Sequence, residues 1–177
     1  MQAYDDPVYL MNSAEVAFMK AEAYARLGAS GQAKAAYEEG VTKAFSRWGY
    51  DASLYIAPGG TYEFNDSTTE TMIRSIMLQK WVAAAKANTW DAFFDRNRTG
   101  YPEISTASRV RVSNQTEGLM EGYVLGTLVT PGNTVLQPQE FPHRLLIPSI
   151  SSSYNPNAPE TKSISSPLWW HTNYKNP

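Results

Sequence analysis

Cysteine is absent from the 177 residues, and histidine occurs only twice. The absence of cysteine excludes disulfides, thiolate zinc ligands and cysteine nucleophiles together. His143 and His171 are far apart in the sequence, and neither has a carboxylate at the spacing of a metal ligand. No glycine-rich loop has the lysine and the helix that phosphate binding needs. The sequence therefore predicts no metal site and no cofactor.

An excess of charge of one sign is also missing. The chain has 15 Lys and Arg residues against 17 Asp and Glu residues, which gives a net charge of -2. No strong field is available to attract nucleic acid or an anionic membrane, so nucleic acid is not predicted as a partner. Apolar runs of transmembrane length are absent. The acidic start of the chain, broken by Pro7, lacks the positive charge and apolar run of a secretory signal.

Helical periodicity dominates the first part of the chain. Asn12 and Glu15 resemble a capping box, and Ser30 can cap a second helix after a short turn at Gly28, which predicts an antiparallel hairpin. The recurring apolar residues are Val16, Met19, Ala23 and Leu27, then Ala33, Tyr37, Val41, Ala44 and Trp48. The small and large residues that alternate as in a tetratricopeptide repeat are Ala17, Ala21, Tyr24, Ala33, Tyr37 and Gly40. A single repeat cannot bury its own face, so we expect further helices against it.

Two more helices and an irregular part follow. Ser67 and Glu70 form a second capping-box pair, and Thr89 can cap a fourth helix that ends before Gly100. The apolar stripe of the third helix is Ile73, Ile76, Met77, Lys80, Trp81 and Ala84. Beyond Pro102, residues 109–112, 123–129 and 144–147 favour short strands or extended loops.

The expected fold class is mainly α, with tetratricopeptide-like helical hairpins and an irregular C-terminal part of long loops and short strands. We expect one domain over residues 1–177, in which a loop-rich part, 103–177, packs on a helical part, 1–102.

Candidate catalytic carboxylates are few. Glu38 and Glu39 are adjacent, whereas Asp91 and Asp95 would share a helix face with nearby arginines, which favours structural ion pairing over the opposed carboxyl groups of a glycosidase. The serines of 151–153 and 163–166 have no flanking glycines and no nearby histidine, so a serine nucleophile is not predicted. The sequence predicts no catalytic residues.

A loop rich in aromatic residues, 49–66, is the best candidate for a binding site. Trp48, Tyr50, Tyr55 and Tyr62 could form a platform, because the flat face of such a ring contacts the axial hydrogens of a sugar. The alternative is that these rings cover the helical hairpin and one another. We take the four residues as candidate glycan-binding residues.

Four stretches resemble landmarks of the SusD/RagB family, in the family's order. They are a Lys-Ala-Glu-Ala helix with a following Tyr-Glu-Glu-Gly helix (13–24 and 36–41), a Gln-Lys-Trp helix with an Arg-Thr-Gly-Tyr-Pro segment (76–83 and 90–102), a Phe-Pro-His-Arg segment leading to Asn-Pro-Asn (141–148 and 155–157), and a terminal Leu-Trp-Trp (168–170). The chain departs from the family at Asn97, where an arginine is usual, and at 149–151, where Gln-Ser-Glu is common. Residues 103–140 match no family motif.

This resemblance implies a C-terminal region of a SusD-like outer-membrane nutrient-binding lipoprotein. It implies surface exposure at the outer membrane, a lipid anchor on an upstream segment of a longer chain, and two partners: oligosaccharide and a SusC-like TonB-dependent transporter. No enzyme activity is implied. Two alternatives stay open, a tetratricopeptide-like adaptor that binds only protein and, with less support, a glycoside hydrolase.

Overall fold

A computed structural model describes residues 8–105, 123–129, 136 and 140–171. The described residues contain six helices: α1 (Ser13–Arg26), α2 (Ser30–Ser46), α3 (Ser53–Ile56), α4 (Thr69–Ala83), α5 (Thr89–Thr99) and α6 (Ser149–Tyr154). The mainly α fold class is confirmed. By contacts the chain divides into two compact units, Met1–Pro102, which we call the helical unit, and Glu103–Pro177. That the two units make one domain stays a prediction.

The first two helices form a hairpin whose ends follow from local chemistry. The Asn12 side chain accepts a hydrogen bond from the Glu15 N–H at 2.9 Å, which caps α1. At the other end Gly28 has a φ of 75°, a left-handed conformation that costs glycine little. The Gly28 N–H then reaches the Ala25 carbonyl, and the Ala29 N–H reaches the Tyr24 carbonyl. This pair of bonds ends α1 and reverses the chain within three residues.

Small residues line the interface of the hairpin. The buried members are Ala14, Ala17, Ala21 and Ala25 on α1, and Ala33, Ala36 and Gly40 on α2. They leave room for two large side chains, Phe18 and Tyr37, which are almost fully buried and whose ring centroids are 6.2 Å apart. A Cβ atom at Gly40 would lie 2.8 to 3.0 Å from the Phe18 ring. Close approach of the helices therefore depends on the glycine.

The apolar stripe predicted for α1 lies on the opposite side of the helix from Phe18. Val16, Met19 and Leu27 are 39%, 47% and 80% exposed, and Ala23 is exposed as well. The apolar stripe that the sequence shows on α1 is therefore its outer face. The helix presents its alanine face to α2 instead, because small side chains allow a shorter distance between the axes.

Three predicted caps are displaced by one residue. The helix α4 is capped by Thr68 and Thr71, which exchange side-chain bonds with each other's N–H groups, and not by Ser67, whose N–H donates to the Asn65 side chain. Ser30 and Thr89 are the first residues of α2 and α5 and provide no side-chain cap. At α2 the reason is the tight turn: Ala29 both closes α1 and precedes α2, so Ser30 is already helical.

An ion-pair network joins α1, α4 and α5. The Glu22 carboxylate of α1 accepts hydrogen bonds from both terminal nitrogens of Arg98 of α5, at 2.6 and 2.8 Å. It also accepts one from Arg26. Arg98 in turn binds Asp95 at 2.8 Å, and Asp95 binds Lys80 of α4 at 2.5 Å. Glu22 and Lys80 are each 8% exposed. A charge at this depth is tolerated because every member of the network has an oppositely charged partner.

The network shifts the ionisation of its members. Burial works to raise the pKa of Glu22, but the hydrogen bonds and positive charges of Arg98 and Arg26 outweigh it, so the pKa lies below its ordinary value. The hydrogen bonds from Arg98 to Glu22 and Asp95 raise the pKa of the Arg98 guanidinium, against the opposite effect of burial. Both shifts favour the ion-paired state.

The second unit is irregular in its described parts. A single parallel bridge joins Ile104 and Leu128, and no strand occurs among residues 103–105, 123–129 and 140–171. Residues 123–129 and 144–147, for which strands or extended loops were expected, are therefore loops, and 109–112 lies outside the described residues. Arg144 holds its loop by donating to the carbonyls of Ser166 and Pro167 at 2.9 Å each. Side-chain bonds of this kind replace a sheet ladder.

We predict that Gly40→Ala destabilises the protein. The added methyl group meets the Phe18 ring, which is fully buried, and this overpacking outweighs the higher helix propensity of alanine, for a net loss of about 2 kcal/mol. Gly31→Ala, in the same helix but with open space around the new Cβ, is the control and should gain up to about 0.5 kcal/mol. Urea denaturation measures both. Equal effects at the two positions would contradict the packing account.

We also predict that Glu22→Gln destabilises the protein and flattens its acid sensitivity. Removing one member of a buried pair costs about 3 kcal/mol. The lowered pKa of Glu22 means that the unfolded chain, with its pKa near 4.5, takes up the proton first on acidification. Stability in the wild type is therefore lost as pH falls below about 4.5, and the variant should lose less.

Denaturation between pH 7 and pH 3 checks this prediction. Glu38→Gln is the matched control, because Glu38 pairs only loosely with Lys34, at 3.9 Å and near the surface. A pH profile of Glu22→Gln that parallels the wild type would show that Glu22 does not carry the acid sensitivity.

Candidate functional site

The aromatic loop begins where α2 ends. Gly49 has a φ of 75°, and the Gly49 and Tyr50 N–H groups donate to the carbonyls of Ser46 and Phe45. This is the same turn that ends α1. It leaves Trp48 half exposed, at 51%, and directs Tyr50 outwards, at 71% exposure.

The sequence predicts an irregular loop over 49–66, but the structure has the short helix α3 within it. The Asp51 carboxylate accepts hydrogen bonds from the N–H and the hydroxyl of Ser53, at 3.1 and 2.7 Å, and so starts this turn. The same two bonds lower the pKa of Asp51. The helix places Tyr55 opposite the part of the loop that returns after Gly60.

A tight turn at Gly59 and Gly60 brings Tyr62 back to Tyr55. The Tyr62 N–H donates to the Tyr55 carbonyl at 2.8 Å, and the Gly60 N–H donates to the Ala57 carbonyl at the same distance. A Cβ atom at Gly60 would lie within 2.8 Å of the Leu54 and Ala57 carbonyl oxygens. Only glycine fits this close approach of backbone to backbone.

The two loop tyrosines form a stacked pair. The Tyr55 and Tyr62 rings are 5.7 Å apart with an angle of 23° between their planes. Both contact Phe45 of α2, at 5.1 and 6.3 Å, which is itself packed against the core. Tyr55 remains 44% exposed. The pair is thus an aromatic surface that packs on Phe45 on its core side and is accessible to solvent at Tyr55.

Tyr37 fixes this loop to the hairpin core. Its hydroxyl donates to the Tyr62 carbonyl at 2.8 Å, and its ring lies 4.9 Å from Phe64, which follows the loop tyrosines. Burial, with smaller contributions from Tyr62 and Glu38, raises the pKa of Tyr37 well above its ordinary value, so the hydroxyl stays a donor. The same side chain therefore holds both the hairpin and the loop.

Trp48 belongs to a separate cluster that contains two cations. The Arg47 guanidinium and the Lys86 ammonium each lie 5.4 Å from the centre of the Trp48 ring, and Arg47 lies 5.8 Å from the Tyr9 ring. These distances are those of cation–π contacts. Among the described residues, no ring pair joins Trp48 or Tyr50 to the Tyr55 and Tyr62 pair.

The four candidate residues therefore do not form one continuous platform. Tyr55 and Tyr62 are together, Trp48 lies with two cations, and Tyr50 is exposed on its own. Sequence reasoning missed the residues that complete both clusters, namely Phe45, Arg47, Lys86 and Tyr9. Helical spacing from Val41 could have identified Phe45. No local signal links Lys86 to Trp48, because the contact joins two distant turns.

The carboxylates considered for catalysis are mostly paired. Glu39 binds Lys43 and Lys20, Glu38 binds Lys34, and Asp95 binds Lys80 and Arg98. The expectation of structural ion pairing is confirmed for Asp95. The remaining residue, Asp91, lines a cavity of about 10 Å³ with Glu15, Lys80 and Asn88, and this volume holds one water molecule but no sugar ring.

The fold also brings together the two histidines that are distant in the sequence. The His143 and His171 rings are 4.8 Å apart, and both residues are buried. The Leu168 N–H donates to Nδ1 of His171 at 2.9 Å. In the part of the chain that the structure describes, no group of three His, Asp or Glu side chains is gathered as a metal would need, and no helix is long and apolar enough to cross a membrane.

Comparison with known protein families places the helical part of the chain in a family. The model of a SusD-like family, described as starch-binding associating with outer membrane, matches residues 1–119 of the 177. The matched range contains the helical unit and the whole aromatic loop. No curated protein matches the chain.

We predict that Gly60→Ala opens the aromatic loop without unfolding the helices. The new methyl group clashes with backbone carbonyls that have no freedom to rotate away, so the bond between the Tyr62 N–H and the Tyr55 carbonyl should break. Hydrogen exchange of the Tyr62 amide should become at least about tenfold faster, the equivalent of a loss of 1.4 kcal/mol. Amides within α4 are the internal control. Unchanged exchange at Tyr62 would contradict the prediction.

Proposed function

Because the chain belongs to the SusD-like family, we propose that it binds oligosaccharide at the outer membrane, without catalysis, for delivery to a TonB-dependent transporter. The family description covers starch binding and association with the outer membrane. The partner transporter, a position on the cell surface and a lipid anchor on an upstream segment are parts of the proposal that rest on the resemblance of the motifs.

The observation that supports glycan binding best is the stacked pair of Tyr55, which is exposed, and Tyr62, which is half-buried. A sugar ring stacks on an aromatic face that is fixed in place, since a rigid ring loses little conformational entropy when it binds. Phe45 supports the pair from below, and Tyr37 holds its backbone. Trp48 and Tyr50, which complete the proposed site, offer two further exposed rings on the same loop.

The paired carboxylates support a role without catalysis. A glycosidase requires two carboxyl groups that face each other across a cleft, one of them with a raised pKa. Glu38, Glu39 and Asp95 are each committed to lysine or arginine, and the pKa of Glu39 is lowered by Lys43 and Lys20. This disfavours the glycoside hydrolase alternative.

One observation favours a second candidate function, a tetratricopeptide-like adaptor that binds protein. The outer face of α1 exposes Val16, Met19 and Leu27 in a single stripe. Exposed apolar stripes of this kind are typical of protein contacts. Affinity purification distinguishes the candidates: recovery of a large β-barrel transporter supports the family role, whereas recovery of other proteins without any glycan affinity supports the adaptor.

We predict that Tyr55→Ala weakens glycan binding. Loss of one ring from the stacked pair should raise the Kd about tenfold, which corresponds to roughly 1.4 kcal/mol of aromatic contact. Calorimetry with a panel of neutral and acidic oligosaccharides, including starch-derived ones, measures the effect. Tyr154→Ala is the control, because Tyr154 is equally aromatic and 84% exposed but lies on α6. A wild-type protein that binds none of the panel would refute the proposed function.

A further inference from the structure

Trp48 has two cationic side chains beside its ring. Arg47 and Lys86 each stand 5.4 Å from its ring centre, and among the described residues neither has a carboxylate within ion-pair distance. The contrast with the other lysines of the helical unit is complete: Lys20, Lys34, Lys43 and Lys80 all bind a carboxylate. In a chain of net charge -2, this local excess of cations needs a reason.

Arg47 is a fixed part of this cluster. One of its terminal nitrogens donates to the carbonyls of Ala83 and Ala85, at 2.8 and 3.2 Å, and so caps the end of α4. Its other nitrogens are buried and have no hydrogen-bond partner among the described residues, and its guanidinium lies against the rings of Tyr9 and Trp48. Arg47 therefore positions Trp48 and supplies charge, while its own donors point into the protein.

Lys86 differs because its ammonium is accessible. The residue is exposed and lies in the turn between α4 and α5. Its φ is 57°, the one left-handed backbone at a residue other than glycine among those described. A lysine in this conformation is strained, and glycine or asparagine would fit the turn better. Backbone strain of this kind clusters at functional sites, and here it lies at a lysine whose ammonium is held over an exposed indole.

We propose that the Trp48 end of the aromatic loop binds an acidic sugar, with Lys86 contacting its carboxylate or sulfate group. This inference rests on the proposed function and names the class of saccharide. A neutral sugar stacks on the electron-rich face of the indole. At Trp48 two cations already interact with the π-electrons of that ring. A sugar that carries an anion gains from the same cations while its ring contacts Trp48.

The test compares acidic and neutral oligosaccharides of equal length. Calorimetry with oligogalacturonate and with malto-oligosaccharide is carried out on the wild type and on Lys86→Gly, Lys86→Gln and Lys86→Arg. We expect the wild type to bind the acidic ligand about fivefold more tightly, a preference lost in the glycine and glutamine variants and retained in the arginine variant. The preference should shrink as salt is raised, because the contact is exposed. Lys34→Gln is the control, because Lys34 also lies near the surface but is paired with Glu38.

Thermal unfolding provides a second readout. Lys86→Gly removes the backbone strain, so its Tm should rise by roughly 2–4 °C while its preference for the acidic ligand disappears. A purely structural lysine would not show this opposite change in stability and binding. If the wild type binds neutral glycan as well as acidic glycan, and Lys86→Gln changes neither, the inference is wrong and the proposed function stands. If the wild type binds neither ligand, the inference is wrong, and the wider oligosaccharide panel decides the proposed function.

Discussion

The contact between Glu22 and Arg98 is the interaction on which the helical unit depends. It joins the first helix to the last long one, and through Asp95 it extends to Lys80 on the helix between them. Small residues and the Phe18 and Tyr37 rings between them hold α1 and α2 together, but α5 buries few apolar side chains and needs another constraint. The charged network attracts the helices and also restricts their orientation, because a bidentate hydrogen-bonded ion pair requires a defined geometry. It fixes how α5 lies against α1 and α4.

Most members of that network belong to the motifs by which the family resemblance is recognised. Glu22 lies in the Lys-Ala-Glu-Ala stretch, Lys80 in Gln-Lys-Trp, and Asp95 and Arg98 in the segment before Gly100. The motifs therefore describe how helices pair and not which sugar is bound. This explains why the family could be identified from the sequence while its ligand could not. The residues proposed to contact a ligand lie at or between the ends of these helices.

The helices themselves were predictable because periodicity and end signals are local. The positions of α1, α2, α4 and α5 follow from apolar spacing and from glycines such as Gly28. Caps were less predictable, since neighbouring polar residues compete for the same N–H groups, and Thr71 outcompeted Glu70 at α4. The exposed side of α1 was not evident either. Both of its sides carry apolar residues, and only the geometry of packing decides which one is buried.

The candidate site was predictable in part, for a similar reason. Exposed aromatic residues on a loop are visible in the sequence, but the contacts that group them are not, because Lys86 reaches Trp48 from a distant turn. The same limit applies to Phe45, which supports the tyrosine pair from the neighbouring helix. The sequence therefore identifies the exposed aromatic residues of the candidate site, but not Phe45 and Lys86, which contact them.

Because Tyr37 has two roles, substitutions in this protein fall into two kinds: those that disturb both the fold and the loop, and those that change the loop alone. Its ring fills the hairpin and its hydroxyl holds the loop, so a substitution there would disturb fold and site together. Tyr55, in contrast, is attached to the scaffold mainly through ring contacts and a backbone bond that any residue can make. Side chains at the tip of the loop can therefore be exchanged without cost to the framework. If the loop binds sugar as proposed, such a division would let single substitutions change its sugar preference while the scaffold is kept.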